Sequence, residues 1–268
     1  MTADTTQKRS MELLREAGGL RRVAFYVTIV TILALMTAFL GDTLAFIFTA
    51  WTVSEPGVHH LHDLALVTIL WTVVFGLLVQ LYEPERRVAG IQQAVLVNIV
   101  ITGSNFLTGF IFPSALILGG LLLVDFALHP AGWDVLRVRT AGSVSPVLVG
   151  LVVLAGIPFT IYAADQYALQ ASGDVHAQLD HYADMVTYSL LVLLLGLLAS
   201  VKPVGWRIPL WSAAGFVGVL GVTSILHPAL ASSAGPIWGG LAIIWAAGLI
   251  VAGEVSHRRS GDTLTELS

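Results

Sequence analysis

Residues 59–82 read HHLHDLALVTILWTVVFGLLVQLY. From Leu61 to Tyr82 the only formally charged side chain is Asp63, and the run is continuously apolar rather than alternating. A helix needs roughly 20 such residues to cross the ~30 Å hydrocarbon core. A barrel strand would show about ten residues with period-two alternation, so the stretch is a transmembrane helix with a histidine-rich head.

Seven more runs have the same character: 23–41, 88–106, 110–128, 142–163, 182–201, 207–226 and 236–253. Hydrophobic residues make up 56% of the chain and charged residues 11%, against about 25% charged in soluble domains. The expectation is an all-α polytopic membrane protein of about eight transmembrane helices. The first run follows a long basic leader and no clean cleavage site follows it, so it reads as a retained anchor rather than a secretory signal. The chain has no cysteine, which excludes disulfides and thiolate metal sites and leaves His and carboxylates as the available ligands.

All thirteen Lys and Arg lie in five segments: Lys8, Arg9, Arg15, Arg21 and Arg22; Arg86 and Arg87; Arg137 and Arg139; Lys202 and Arg207; Arg258 and Arg259. Threading eight spans puts every one on the same side, which the positive-inside rule makes the cytoplasm. A multi-pass protein of the cell membrane with both termini cytoplasmic follows, with the lipid bilayer as partner and no nucleic acid. The opposite side carries Asp42, Glu55, Asp63, Asp165, Asp174, Asp180 and Asp184, with six of the eight histidines and no Lys or Arg. That face attracts cations.

The two halves resemble each other. Asp42 pairs with Asp165, His60 with His181, Asp63 with Asp184, Gly76 with Gly196, Pro84 with Pro203, Arg86 with Arg207, Asp125 with Glu254 and His129 with His257. An even number of spans per half makes this a four-plus-four parallel duplication. The expected organisation is a basic leader (1–22), a first four-helix repeat (23–129), a cytoplasmic linker (130–141), a second repeat (142–254) and a cytoplasmic tail (255–268).

The duplication would explain why His-x-x-Asp heads two spans. Residues three apart share a helix face, so His60 with Asp63 and His181 with Asp184 each present an imidazole beside a carboxylate. Such pairs ligate a metal, orient a ligand imidazole, or relay protons. Helix-dipole stabilisation of the two aspartates is the plainer account, but it does not require six outer histidines. His227, ahead of the helix-stopping Pro228, supplies a third imidazole to the expected site. His59, His62, Asp42, Asp165 and His176 are secondary candidates, the last in a loop long enough to act as a lid. Donor sets of this kind suit zinc or copper, or hold a heme.

Asn98, Thr102 and Asn105 form a polar stripe on the third span, read either as interhelical hydrogen bonding or as a lining that leads inward from the site. Asp125–His129 and Glu254–His257 read as solvated helix ends or, because the pattern repeats, as a second site or proton exit.

The plan of two parallel four-helix halves, with histidines at the outer mouths of spans two and six, is similar to that of the heme A synthase family, which would imply a heme ligand. The motifs differ: EPGVHH (55–60) lacks the following Arg, and His129 and His257 lie at the other end of their spans. The His/Asp content is loosely similar to that of the seven-helix membrane zinc hydrolases, without their Ser-x-x-x-His and His-x-x-x-His spacings. Phosphate-binding, nucleophile-elbow and dinucleotide motifs are absent. The reading is a membrane protein with an outward-facing His/Asp site for a divalent metal or heme. Its rivals are a cation- or proton-coupled transporter and a non-catalytic membrane subunit.

The cysteine-free chain makes the orientation testable. Single-cysteine variants Ser172→Cys and Ser260→Cys, in intact cells, should react with a membrane-impermeant maleimide at position 172 only. Labelling at position 260 alone would invert the assignment.

Overall fold

The computed structural model describes residues 3–53, 55–109, 113–136 and 144–265, with side chains described between Gly18 and Arg258. Arg137, Arg139 and the first residues of two predicted spans (110–112 and 142–143) lie outside the described residues, as do the side chains of Lys8, Arg9, Arg15 and Arg259. The described chain is helical throughout: α1 Ala3–Thr49, α2 His60–Leu78, α3 Val88–Thr108, α4 Pro113–Leu128, α5 Pro146–Gln170, the single turn α6 Val175–Gln178, α7 His181–Ser200, α8 Arg207–Leu226 and α9 Gly235–Thr265.

Local chemistry sets the ends. Ser145 caps α5, its Oγ accepting from the Leu148 N–H, with Pro146 at the first helical position, where its missing donor costs nothing. Gly109, at φ 81°, closes α3 with its N–H turned back to Asn105 and Phe106. Pro228 follows the end of α8.

Seven helices are long and apolar enough to cross a membrane. The eighth predicted span is α4, which has 16 described residues and is therefore about 24 Å long, short of the ~30 Å core. The leader and first span share one continuous helix, α1.

Four helices form the centre. α2 packs on α3, α7 and α8, and α3 packs on α7 and α8, while α1 and α4 lie against α2 and α3, and α5 and α9 against α7 and α8. Of the most apolar window of α2 and α7, 61% is buried, against 17–22% for α1, α5 and α9. The outer helices keep apolar side chains exposed, such as Val23, Val27 and Val30 along one face of α1, as lipid contact requires. Glycine permits the closest approaches. A Cβ on Gly76 would stand 2.6 Å from the Gly90 carbonyl oxygen between α2 and α3, and one on Gly221 would stand 2.7 Å from that of Gly239 between α8 and α9.

The polar stripe on α3 serves in part to join helices. Asn98 donates to the Ala115 carbonyl of α4 at 3.0 Å, and Ser104, beside the stripe, bonds Thr187 of α7. Asn105 is buried, and the Thr102 hydroxyl is buried without a partner.

The basic end is tightly bonded. The Ala89 N–H donates to the Val204 carbonyl at 2.9 Å, joining the start of α3 to the turn that follows α7. Asp125 and His129 are not solvated, as both are fully buried. Glu254 does not join His257 in a second site either: it takes a two-pronged ion pair from Arg207, at 2.6 and 2.7 Å.

His129 ties three elements together. The Ala131 N–H donates to its Nδ1 at 3.1 Å, so Nε2 carries the proton and donates to Gln80 Oε1 at 3.0 Å. Gln80 in turn donates to the Arg87 carbonyl at 2.7 Å, and Phe25 of α1 packs edge-on against the ring. Both ring nitrogens are thus committed in the neutral tautomer.

Burial lowers His129 to about 4, with Arg21 adding to the effect and Glu85 opposing it. The unfolded chain, at about 6.5, therefore binds a proton that the folded chain does not between these values. Its contribution to stability is complete above about pH 6.5 and is lost as pH falls toward 4. Thermal melts in detergent should show this loss in the parent, and a shallower pH dependence in His129→Gln. Parallel pH profiles would refute the assignment.

A candidate histidine site where α2 and α7 begin

His59 caps α2 without a side-chain bond to the helix, which leaves its imidazole free to reach across to α7. His62 lies three residues on, one turn along the same face. Asp174 caps α6 and accepts from the Ala177 N–H at 2.9 Å, so the one-turn helix holds His176 against α2. Asp180, in the left-handed conformation at φ 61°, turns the chain into α7. Gln170, near the end of α5, braces this junction. It donates to the Ala177 carbonyl and to Asp180 Oδ1, each at 2.8 Å, and accepts from the Ala183 N–H at 3.1 Å.

Four imidazoles meet there. The ring of His59 lies 4.8 Å from that of His176 and 4.7 Å from that of His181. His62 lies 4.9 Å from His176 and stacks on His181 at 5.0 Å with planes 19° apart. The Nδ1 atoms of His59 and His181 approach to 3.1 Å. Tyr182 flanks His62 and His176 and donates to Asp174 Oδ2 at 2.9 Å.

The hydrogen bonds fix one tautomer. Ser232 gives its only proton to Gln166 Oε1 at 2.5 Å, so it accepts from His62 Nε2 at 2.9 Å. His62 Nδ1 is then a bare acceptor, buried and without a partner among the described residues. His176 Nε2 donates to the Val58 carbonyl at 3.2 Å, and its Nδ1 stands 4.0 Å from Asp174 Oδ1. The Ser232 carbonyl accepts from Tyr162 at 2.5 Å, so α5 holds this serine of the turn before α9 through both its side chain and its backbone. The Ala177 N–H, with help from Tyr182 and His176, holds the Asp174 carboxyl below its ordinary range; burial raises that of Asp180.

The structure distributes the expected site residues differently. His181 joins His59, His62 and His176. His60 faces away, its ring 5.5 Å from Phe46 and 5.3 Å from His227. Asp63 is exposed and Asp184 half-buried, while Asp42 on α1 and Asp165 on α5 are exposed. Ser232, Gln166 and Tyr162 were not among the expected residues, and no spacing in the sequence links them to the histidines. Among the described residues, no group of three or more His, Asp or Glu side chains already stands in a metal-holding arrangement.

Asp174 anchors α6 through both carboxylate oxygens. Asp174→Ala should lower the thermal midpoint and speed amide exchange in 175–178. Adding Tyr182→Phe should then cost less than it does alone. Full additivity would show that the two side chains act separately.

No known protein family, curated protein or solved structure matches the chain.

Proposed function

We propose that this chain is an integral membrane protein whose outward histidine cluster, His59, His62, His176 and His181, binds a divalent cation of the zinc and copper class. The carrying observation is that four imidazoles from separate segments contact one another at 4.7–6.0 Å between rings, with a buried, unused lone pair on His62 Nδ1. Burying an unpaired acceptor is costly, and a cation would engage it together with its neighbours. Imidazole nitrogen suits both metals.

The surroundings support this reading. His62 gives its second nitrogen to Ser232 and His176 gives its own to a backbone carbonyl, the outer contacts that orient ligand imidazoles. Ligation requires the rings to turn from their present hydrogen-bonded arrangement. The spacing favours an ion over a heme, because axial imidazoles must leave room for the macrocycle between them and these rings are in contact. The exposure of Asp63 and the turn of His60 toward Phe46 and His227 move the proposal away from the His-x-x-Asp pairs and onto His59-x-x-His62 with His176 and His181.

The helix contacts also favour a duplicated architecture. Replacing α1, α2, α3 and α4 by α5, α7, α8 and α9 carries each first-half contact onto one in the second half, as α1 on α2 becomes α5 on α7 and α3 on α4 becomes α8 on α9, and exchanges the contacts between the halves, as α2 on α8 becomes α7 on α3. Under this reading the cytoplasm borders the arginine-bearing turns and the cluster opens to the other side.

Protein purified without a histidine tag should carry near-stoichiometric zinc or copper. The metal should be lost in His62→Ala and His181→Ala, retained in His60→Ala, and bound about tenfold more weakly in Ser232→Ala. If no metal is retained and none binds on titration, the metal reading fails, and transport, assayed as cation or proton flux in liposomes, becomes the reading to pursue.

A further inference from the structure

Asp125 lies at the opposite end of the bundle from the histidines, one turn before the end of α4. It is fully buried, and neither carboxylate oxygen has a hydrogen-bond partner among the described residues. It is the only titratable residue of α4, and α3, which packs against α4, has none.

The described charged and titratable side chains of the other neighbouring elements are these. On α1, Arg21 donates to the Pro130 carbonyl, Arg22 pairs with Glu85, the Tyr26 ring packs on Phe25, and Asp42 is exposed. His129, next on the same face, has both ring nitrogens committed. Asp134 lies in the turn Gly132–Val135 and has an interaction of its own. On α3, Gln92 Oε1 and Gln93 Oε1 are buried acceptors without a donor.

Among the described side chains such a carboxylate has no cation and no donor to stabilise its charge, whereas the neutral acid removes the charge and adds a donor beside α3, which carries spare acceptors. We propose that Asp125 is a proton-binding carboxyl inside the membrane-embedded bundle, near its basic end. An ionisable residue at such a position marks a functional site, and the ligand assigned here is a proton. The site is separate from the histidine cluster and does not depend on metal binding there.

Carbodiimides report this state directly. The protonated acid adds across the N=C=N group, its proton passing to nitrogen and its oxygen bonding to carbon, and the adduct rearranges to a stable N-acylurea. The full-length protein in liposomes would be treated with lipid-soluble dicyclohexylcarbodiimide or with a water-soluble carbodiimide, and the modified residue located by mass spectrometry. The proposal expects an adduct at Asp125 from the lipid-soluble reagent only, increasing as pH is lowered. It also expects Asp125→Asn, which keeps the shape and removes the acid, to melt within a few degrees of the parent. An unmodified Asp125, equal modification by the water-soluble reagent, or a large loss of stability in Asp125→Asn would overturn it, the last by showing an ionised and partnered carboxylate.

Discussion

Inside a bilayer no water takes up an unpaired N–H or C=O, so polar side chains carried inward must find partners within the chain. Central and outer helices alike are joined in this way. Gln93 of α3 donates to the Thr72 carbonyl of α2 at 2.8 Å, Tyr188 of α7 to the Phe216 carbonyl of α8, and Trp245 of α9 to the Leu151 carbonyl of α5 at 2.9 Å. These bonds fix the rotation of each helix about its axis. Apolar packing alone fixes rotation poorly when helices are hydrophobic all round.

That constraint makes the contrast between two of the networks informative. At the basic end, His129, Gln80 and the Arg87 carbonyl form a closed chain in which each donor has an acceptor, and Arg207 and Glu254 neutralise each other. At the histidine end, Ser232, Gln166 and Tyr162 commit one side of His62 and leave its Nδ1 unused. A closed network stabilises, while one with spare acceptors stabilises less than its size suggests and has capacity for a ligand. The same helices, α2 and α7, carry both ends, so the bonded base holds the imidazoles in register.

The long apolar helices were legible because length and continuous apolarity are one-dimensional properties; α4 has 16 described residues, and the first residues of its expected span lie outside them. That histidines gather where α2 and α7 begin was legible from their position at the heads of two spans. Which histidines would meet was not. His60 and His62 are about 200° apart around a helix, and the flanking residues are apolar on every side, so no stripe indicated which one faces inward. His59-x-x-His62 has the same spacing as His60-x-x-Asp63 and places two imidazoles on one face, a signal present in the sequence but outweighed by the repeated His-x-x-Asp. Ser232 is 170 residues from its partner His62, and no local pattern reports such a contact.

The glycines show how far a repeat can be read from single positions. Gly76 and Gly196 align in sequence, yet Gly76 on α2 meets Gly90 on α3, whereas Gly196 on α7 meets Val152 on α5. The other close glycine pair, Gly221 with Gly239, joins α8 to α9, and between α3 and α4 that place is taken by Gly119 against the Asn98 side chain. Each half has therefore placed its small residues at different seams, as expected where close packing is optimised locally. The duplicated architecture proposed above is argued from helix-to-helix contacts rather than from aligned glycines. The histidines follow the same logic: the first half contributes His59 and His62 from the head of α2, the second contributes His176 and His181 from α6 and α7, and neither half holds the cluster alone.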